Sequence, residues 1–233
     1  MRTLAVSAVL LPAVLLPAFF AFHAAPRGIA PPEVPAAARG MGAMLAALPL
    51  TSTTSKGAPD SPVNLLFVGS ESSIRRSIDR AEWTEGTASM SRSLAGGLLK
   101  MARLRAPDVF PPVSPEYLFG RAQDSAFLQQ LTFLRSRHHF RLWKAPFTGP
   151  GGQQVWAGTA NLDASLVFLR RRFVHRIDPE IDRERDYILG TLGSGPDVVR
   201  AVRIGRKAAI RAGADSNGSR YHSDGRILVI YFR

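Results

Sequence analysis

Residues Thr3 to Phe22 form an unbroken run of twenty uncharged residues, rich in Ala, Leu, Val and Phe. Nothing else in the chain constrains its folding so strongly. Twenty residues of helix rise about 30 Å, the thickness of a bilayer's hydrocarbon core. Such a run reads as a membrane-spanning helix, as the apolar part of a secretory signal, or as a buried core helix. Pro12 and Pro17 are tolerated in a membrane segment, where neighbouring groups satisfy the freed backbone. A signal's apolar region is usually shorter. The two cleavage contexts, Phe22-His23-Ala24 and His23-Ala24-Ala25, put a large residue where a small one is preferred. Residues 1–23 are therefore expected to be an uncleaved transmembrane anchor, with a cleaved signal peptide as the alternative. Arg2 opposes Arg27 and Arg39, so flanking charge barely orients the segment. The folded mass after it implies a single pass with the domain outside the cytoplasm, or export after cleavage.

Composition places the rest. Nine of the 17 prolines but only six of the 48 charged residues lie in residues 1–62, so 24–61 reads as a Pro/Ala/Ser/Thr-rich linker. Met41–Leu50 within it is apolar but too short to span, and reads as a surface turn of helix. Residues 62–233 are long enough for one domain with a real core. Residues 63–233 carry +10 of the formal +12 charge, which favours phospholipid headgroups, phosphate-bearing substrates or nucleic acid. Only four of the 30 basic residues are Lys, an Arg bias that suggests a GC-rich genome. The absence of Cys removes disulfides, thiol catalysis and Cys-ligated metal sites.

The pattern predicts a single α+β domain with a mixed β-sheet and about three helices, preceded by the N-terminal hydrophobic helix. Val63–Gly69 reads as a buried strand ended by glycine, and Ser70 as the cap of a helix reaching about Trp83. A second helix is expected over Ser89–Leu104. Short strands follow at Tyr117–Phe119, His139–Trp143, Val155–Thr159 and Phe173–Ile177. Asp178-Pro179 predicts a helix start, with Asp as N-cap and Pro at the first helical position, running to about Leu192. Ile227–Phe232 reads as a terminal strand.

Polar residues cluster in Tyr117–Phe127, Arg137–Trp143 and Val174–Asp186. Strand alternation puts His139, Arg141 and Trp143 on one face, with His138 on the other beside Phe140 and Leu142, so the two histidines cannot chelate one metal from a straight strand. His175 lies with Phe173 and Ile177, opposite Arg176. His139 and His175 are candidate catalytic acid/base groups, or ligands of a divalent metal, against satisfied structural histidines. Arg121, Gln123 and Arg141 are candidate phosphate-binding groups, but an Arg121–Asp124 pair fixing a turn explains the first equally well. Asp178 reads as a cap. Asp182, Arg185 and Asp186 read as a salt-bridged helix face before they read as ligands. Asp163 reads as a turn residue rather than as a carboxylate supporting the site. Arg170–Arg172 and Arg203–Arg211 read as solvated faces that can also meet anionic headgroups.

The order Pro-Val-Asn-Leu-Leu-Phe-Val-Gly, Tyr-Leu-Phe-Gly-Arg-x-Gln-Asp-x-Ala-Phe, Arg-His-His-x-Arg-Leu-Trp, Val-Trp-x-Gly and His-x-Ile-Asp-Pro-x-Ile-Asp-x-Glu-Arg-Asp resembles the LssY C-terminal domain family over residues 62–193. That family is named from a bacterial type I secretion component, and its domain also occurs beside membrane modules of the DedA and PAP2 lipid-phosphatase types. The resemblance implies a bacterial envelope setting and a link to lipid phosphates, without a mechanism. This chain departs from the family at Arg176, where a second histidine is expected, and over Leu166–Arg172, where a more polar, Gly-containing stretch is expected. It carries neither membrane module, so their chemistry does not transfer.

No Walker phosphate loop, Gly-x-Ser-x-Gly elbow or His-Glu-x-x-His helix occurs, and only charge speaks for nucleic acid, which is not expected as a partner. The expected function is a membrane-anchored envelope protein binding anionic lipid, phosphate groups or an envelope or secretion partner. The alternative is a hydrolase acting on a phosphoester, borne by a lipid or another substrate. A hydrolase requires Arg121, His139 and His175, with Asp182 as a weaker member, to converge on one site.

Overall fold

The computed structural model describes residues 40–86, 113–132, 136–169 and 172–233. Along the chain these form α1 (Met41–Ala47), β1 (Thr51–Thr53), β2 (Pro59–Pro62), β3 (Leu65–Val68), α2 (Glu71–Arg80) and β4 (Thr84–Glu85). Then come β5 (Tyr117–Leu118), β6 (Arg121–Ala122), β7 (Ser125–Thr132), β8 (Ser136–Thr148), β9 (Gln154–Leu169) and β10 (Arg172–Ile177). The last elements are α3 (Ile181–Leu192), β11 (Val198–Gly205), β12 (Ala212–Ala214), β13 (Arg220–His222) and β14 (Arg226–Phe232). This is one α+β domain, mostly strand, with a mixed sheet and three helices among the described residues.

The eight-stranded sheet runs β11-β14-β3-β9-β8-β7-β4, with β10 paired to β9. Only β3 and β14 pair in parallel; the other ladders are antiparallel. Both faces are covered, so the central strands read as continuous apolar runs. On one face Phe67, Phe140, Trp156 and Ile230 pack under Ile74 and Ile78 of α2 and Ile188 and Leu192 of α3. On the other, Leu66, Trp143, Phe147 and Val229 pack under Met44 of α1 and the following Leu48.

The Ser70 cap stands: its hydroxyl accepts from the Ser73 amide and donates to the Arg233 carbonyl at 2.8 Å. The start of α3 differs from the expectation. Its N-cap is Glu180, and Asp178 instead accepts from the Glu180 amide at 2.8 Å, closing a local turn before the helix. The linker boundary also moves, because α1, β1 and β2 belong to the fold. Met44 is fully buried, so α1 is a core element and not a surface turn. The prolines of β2 sit in an edge strand of a four-stranded sheet ordered β2-β1-β5-β6, where a missing amide is tolerated. No helix of the described residues is long and apolar enough to cross a membrane. Thr3–Phe22 and the helix expected at Ser89–Leu104 lie outside them.

Candidate active site: a buried polar ladder between two strands

Strands β8 and β9 pair so that Arg137 faces Asp163, His139 faces Asn161 and Arg141 faces Thr159. Residues two apart on a strand share a face, so these six polar side chains form a ladder on the face away from α2 and α3. One pair further on, Trp143 and Ala157 return the same face to apolar packing. All six are buried. Burying so much polarity is costly unless every group is paired. Here several are not: His139 Nδ1, Thr159 Oγ1 and Asn161 Oδ1 are buried without a hydrogen-bond partner, as is His175 Nδ1.

His175 joins through an irregularity in β9. Arg176 pairs with Ser165, but Ile177 pairs with Asp163, so Ala164 is an extra residue in the ladder. A bulge of one residue switches the face of everything beyond it. That switch brings His175 onto the face of Asp163. The result is a convergence on one oxygen: Asp163 Oδ2 accepts from Arg137 Nε at 2.7 Å, and lies 3.7 Å from His139 Nδ1 and 3.6 Å from His175 Nδ1.

Electrostatics separate the two histidines by degree. Burial drives His139 down to about 3, beyond what Asp163 restores, and Arg141 and Arg137 push the same way. Burial also lowers His175, again against Asp163, but its side chain keeps 20% of its exposure and is the ladder's opening to solvent. Both imidazoles are therefore neutral at neutral pH. Burial opposes ionisation of Asp163, yet its neighbours outweigh that and hold the carboxyl below its ordinary value. Arg137, charged at any pH, is the partner able to do so.

A second carboxylate closes the ladder's other end. Glu116 lies 2.8 Å from Arg141 Nη1 and accepts from Ser52 Oγ at 2.5 Å and Ser61 Oγ at 3.2 Å. Burial raises its pKa against the attraction of Arg141, and Asp60 adds to the rise. Asn161 Nδ2 donates to Ser61 Oγ at 2.9 Å, tying β2 to the ladder.

The other expected site residues are elsewhere. Arg121 binds both oxygens of Asp124 and the Lys144 carbonyl, and Asp124 accepts from the Lys144 amide at 2.6 Å. This fixes the β6–β7 turn beside Lys144, five residues or roughly 16 Å along β8 from His139, so Arg121 does not meet the histidines. Gln123 accepts from the Glu116 amide at 2.8 Å and closes the β5–β6 hairpin. Asp182, Arg185 and Asp186 form the salt-bridged helix face. Arg185, nearly fully buried, binds Asp182, Asp186 and Asp224, while Asp182 also accepts from Ser223 and the Asp224 amide. These bonds dock α3 on the β13–β14 turn, and Asp182 takes no part in the ladder. His138, on the helix face as alternation requires, pairs with Glu184 at 2.5 Å and stacks on Tyr187.

Sequence reasoning placed Asp163 in a turn; it is a buried strand residue at the centre of the cluster. Arg137, Asn161, Thr159 and Glu116 were not singled out. Alternation extended along β9 would have found Thr159, Asn161 and Asp163 on one face; the bulge leaves no residue signature. For a divalent metal, no group of three or more His, Asp or Glu has ligand spacing among the described residues, and the central Asp163 oxygen already binds Arg137.

A family model described as LssY C-terminus matches residues 45–227. Comparison with curated proteins and with solved structures returns no match.

Proposed function

We propose, for a chain that belongs to the LssY C-terminus family, that its domain is a phosphoester hydrolase of the cell envelope working at the His139–Asp163–His175 centre. One observation carries the reading: two neutral imidazoles turn unpartnered nitrogens toward a single carboxylate oxygen held by Arg137. Clustered, unpaired, pKa-shifted groups are costly to stability and typical of sites.

The chemistry follows from the differences within the cluster. His175, neutral and reaching solvent, takes a proton from a water whose oxygen forms the new bond to phosphorus. The ester P–O bond breaks, and His175 returns that proton to the leaving oxygen. Asp163, 3.6 Å from the His175 ring nitrogen, stabilises the transient imidazolium. Arg137, bonded to Asp163 at this end of the ladder, supplies fixed positive charge near the phosphoryl oxygens. His139, neutral down to about pH 3, takes up no proton in this cycle.

Purified full-length protein should hydrolyse at least one of a panel of soluble and lipid-borne phosphate esters. His175→Ala should lower kcat by about 100-fold or more with an unchanged melting temperature, and the exposed Arg183→Ala should leave the rate alone. Absence of turnover in the wild type, or full activity in His175→Ala, overturns the reading. The non-catalytic reading, a module that binds anionic lipid or an envelope partner, rests on the +10 charge of residues 63–233 and would then stand.

A further inference from the structure

The eight-stranded sheet ends in β11, whose partner among the described residues is β14 alone. In an antiparallel ladder every second residue turns its N–H and C=O away from its neighbour, so β11 presents an open edge. After an irregularity between Val198 and Arg200, the register runs unbroken from Arg200 to Gly205, about 17 Å of strand. Two exposed arginines flank that stretch, one on each face. Val202 and Ile204 pack toward the α1 side of the sheet, and Ala201 toward the α2–α3 side. Alternation therefore puts Arg200 on the first face and Arg203 on the second. Arg200 lies over the Tyr231 ring at 5.9 Å and has no carboxylate partner among the described residues. Arg203 meets Asp186 at 2.9 Å through Nε alone. Residues 198–214 hold five basic residues and no acidic one.

We infer that β11 is a docking edge, to which an extended acidic segment of a partner protein adds as a further strand. Strand addition pairs the outward backbone groups, and side chains set the choice of strand. Residues three apart on a strand point to opposite faces. Acidic residues at that spacing on the incoming strand therefore meet Arg200 and Arg203 together. Opposite charges across a strand pair stabilise it, and like charges destabilise it. A second copy pairing over the same stretch sets arginine against arginine. The rest of this chain is no better suited, since residues 1–39 carry three basic residues and one acid, and 87–112 four basic residues and one acid. Charged edges ordinarily ward off aggregation; here the charges that exclude other copies also select an acidic strand. A lipid headgroup layer meets the charge but not the row of amides and carbonyls. The docking does not depend on the hydrolase reading, because β14 and β3 separate β11 from β9 and its ladder.

The test uses full-length protein in detergent micelles and three short fluorescein-labelled peptides of alternating Thr and Val. The first carries two Glu three residues apart, and the second has Lys in their place. The third is the Glu peptide N-methylated along its backbone, which keeps the charge and removes the strand's donors. Fluorescence anisotropy should show saturable binding of the first peptide alone, and hydrogen exchange of the amides from Arg200 to Gly205 should slow when it binds. Arg200→Glu should weaken that binding about tenfold with an unchanged melting temperature. Arg220→Glu, the same change of charge at an exposed position of β13, should leave it alone. No binding of the Glu peptide up to about 1 mM, or equal losses in the two variants, overturns the docking. Equal binding of the N-methylated peptide also overturns it, leaving a basic strip open to any polyanion, lipid headgroups included.

Discussion

His139 on β8 and Asp163 on β9 show how one face of two paired strands can hold incompatible demands. The imidazole is buried and neutral, beside a carboxylate that stays ionised against burial with Arg137 beside it. A histidine depressed by folding destabilises the protein wherever the unfolded chain takes up a proton and the folded one does not. For His139 that window opens near its ordinary value of 6.5 and extends down to about 3. Acidification from pH 7 to 4 should therefore cost on the order of 3 kcal/mol through this residue. Glu184 and Glu116, both raised by burial, act in the opposite sense, but they remain in a His139→Gln variant and cancel in the comparison. Denaturation midpoints should fall less between pH 7 and 4 in His139→Gln than in the wild type; parallel curves would show that His139 is not held neutral. The faces of His138 and His139 were legible from alternation alone. The place of Asp163 was not, because a bulge at Ala164 carries no residue signature, and an Asp after Asn-Leu resembles a turn as closely as a strand.

At the scale of the element, β9 shares one edge between two partners, and a side chain fills the gap. β3 covers it from Val155 to Gly158, and β10 from Asp163 onward. Between them the Asn64 amide group mimics a strand, donating to the Ala160 carbonyl at 3.0 Å and accepting from its amide at 2.8 Å. The Leu162 carbonyl is taken by the Asp178 amide. The Ala160 amide and carbonyl and the Leu162 carbonyl thus find partners, as a buried strand requires. Asn64→Leu leaves two backbone groups of Ala160 buried and unpaired, at roughly 1–3 kcal/mol each. Chemical denaturation should show a loss of about 2–6 kcal/mol, and a loss below 1 kcal/mol would mean that water enters the gap. The long apolar runs and the Ser70 cap made β3, α2 and β14 legible in the sequence. By contrast, β1, β2, β4, β6, β7 and β11–β13 were missed: most are short or half-exposed, with too few residues to establish a period, and the Ala-Phe-Leu-Gln-Gln-Leu run of β7 does not alternate. Pro59 and Pro62 further disguised β2 as linker.

At the scale of the whole molecule, the proposal to test is that the Thr3–Phe22 run, as long as a bilayer core is thick, anchors the domain to a membrane. On that proposal residues 24–39 separate the anchor from the domain, because α1 begins at Met41 and is already packed into the core. Sixteen residues span at most about 55 Å. An anchored protein should stay in the membrane pellet through high-salt and alkaline washes, with Met1 intact by N-terminal sequencing. Attraction through the +10 charge of residues 63–233 alone cannot do this, since exposed charges are screened within about 10 Å at 0.1 M salt. A soluble product that begins near Ala24 would mean that the segment is a cleaved signal. Soluble protein with an intact Met1 in the cytoplasm would remove the membrane from the account altogether.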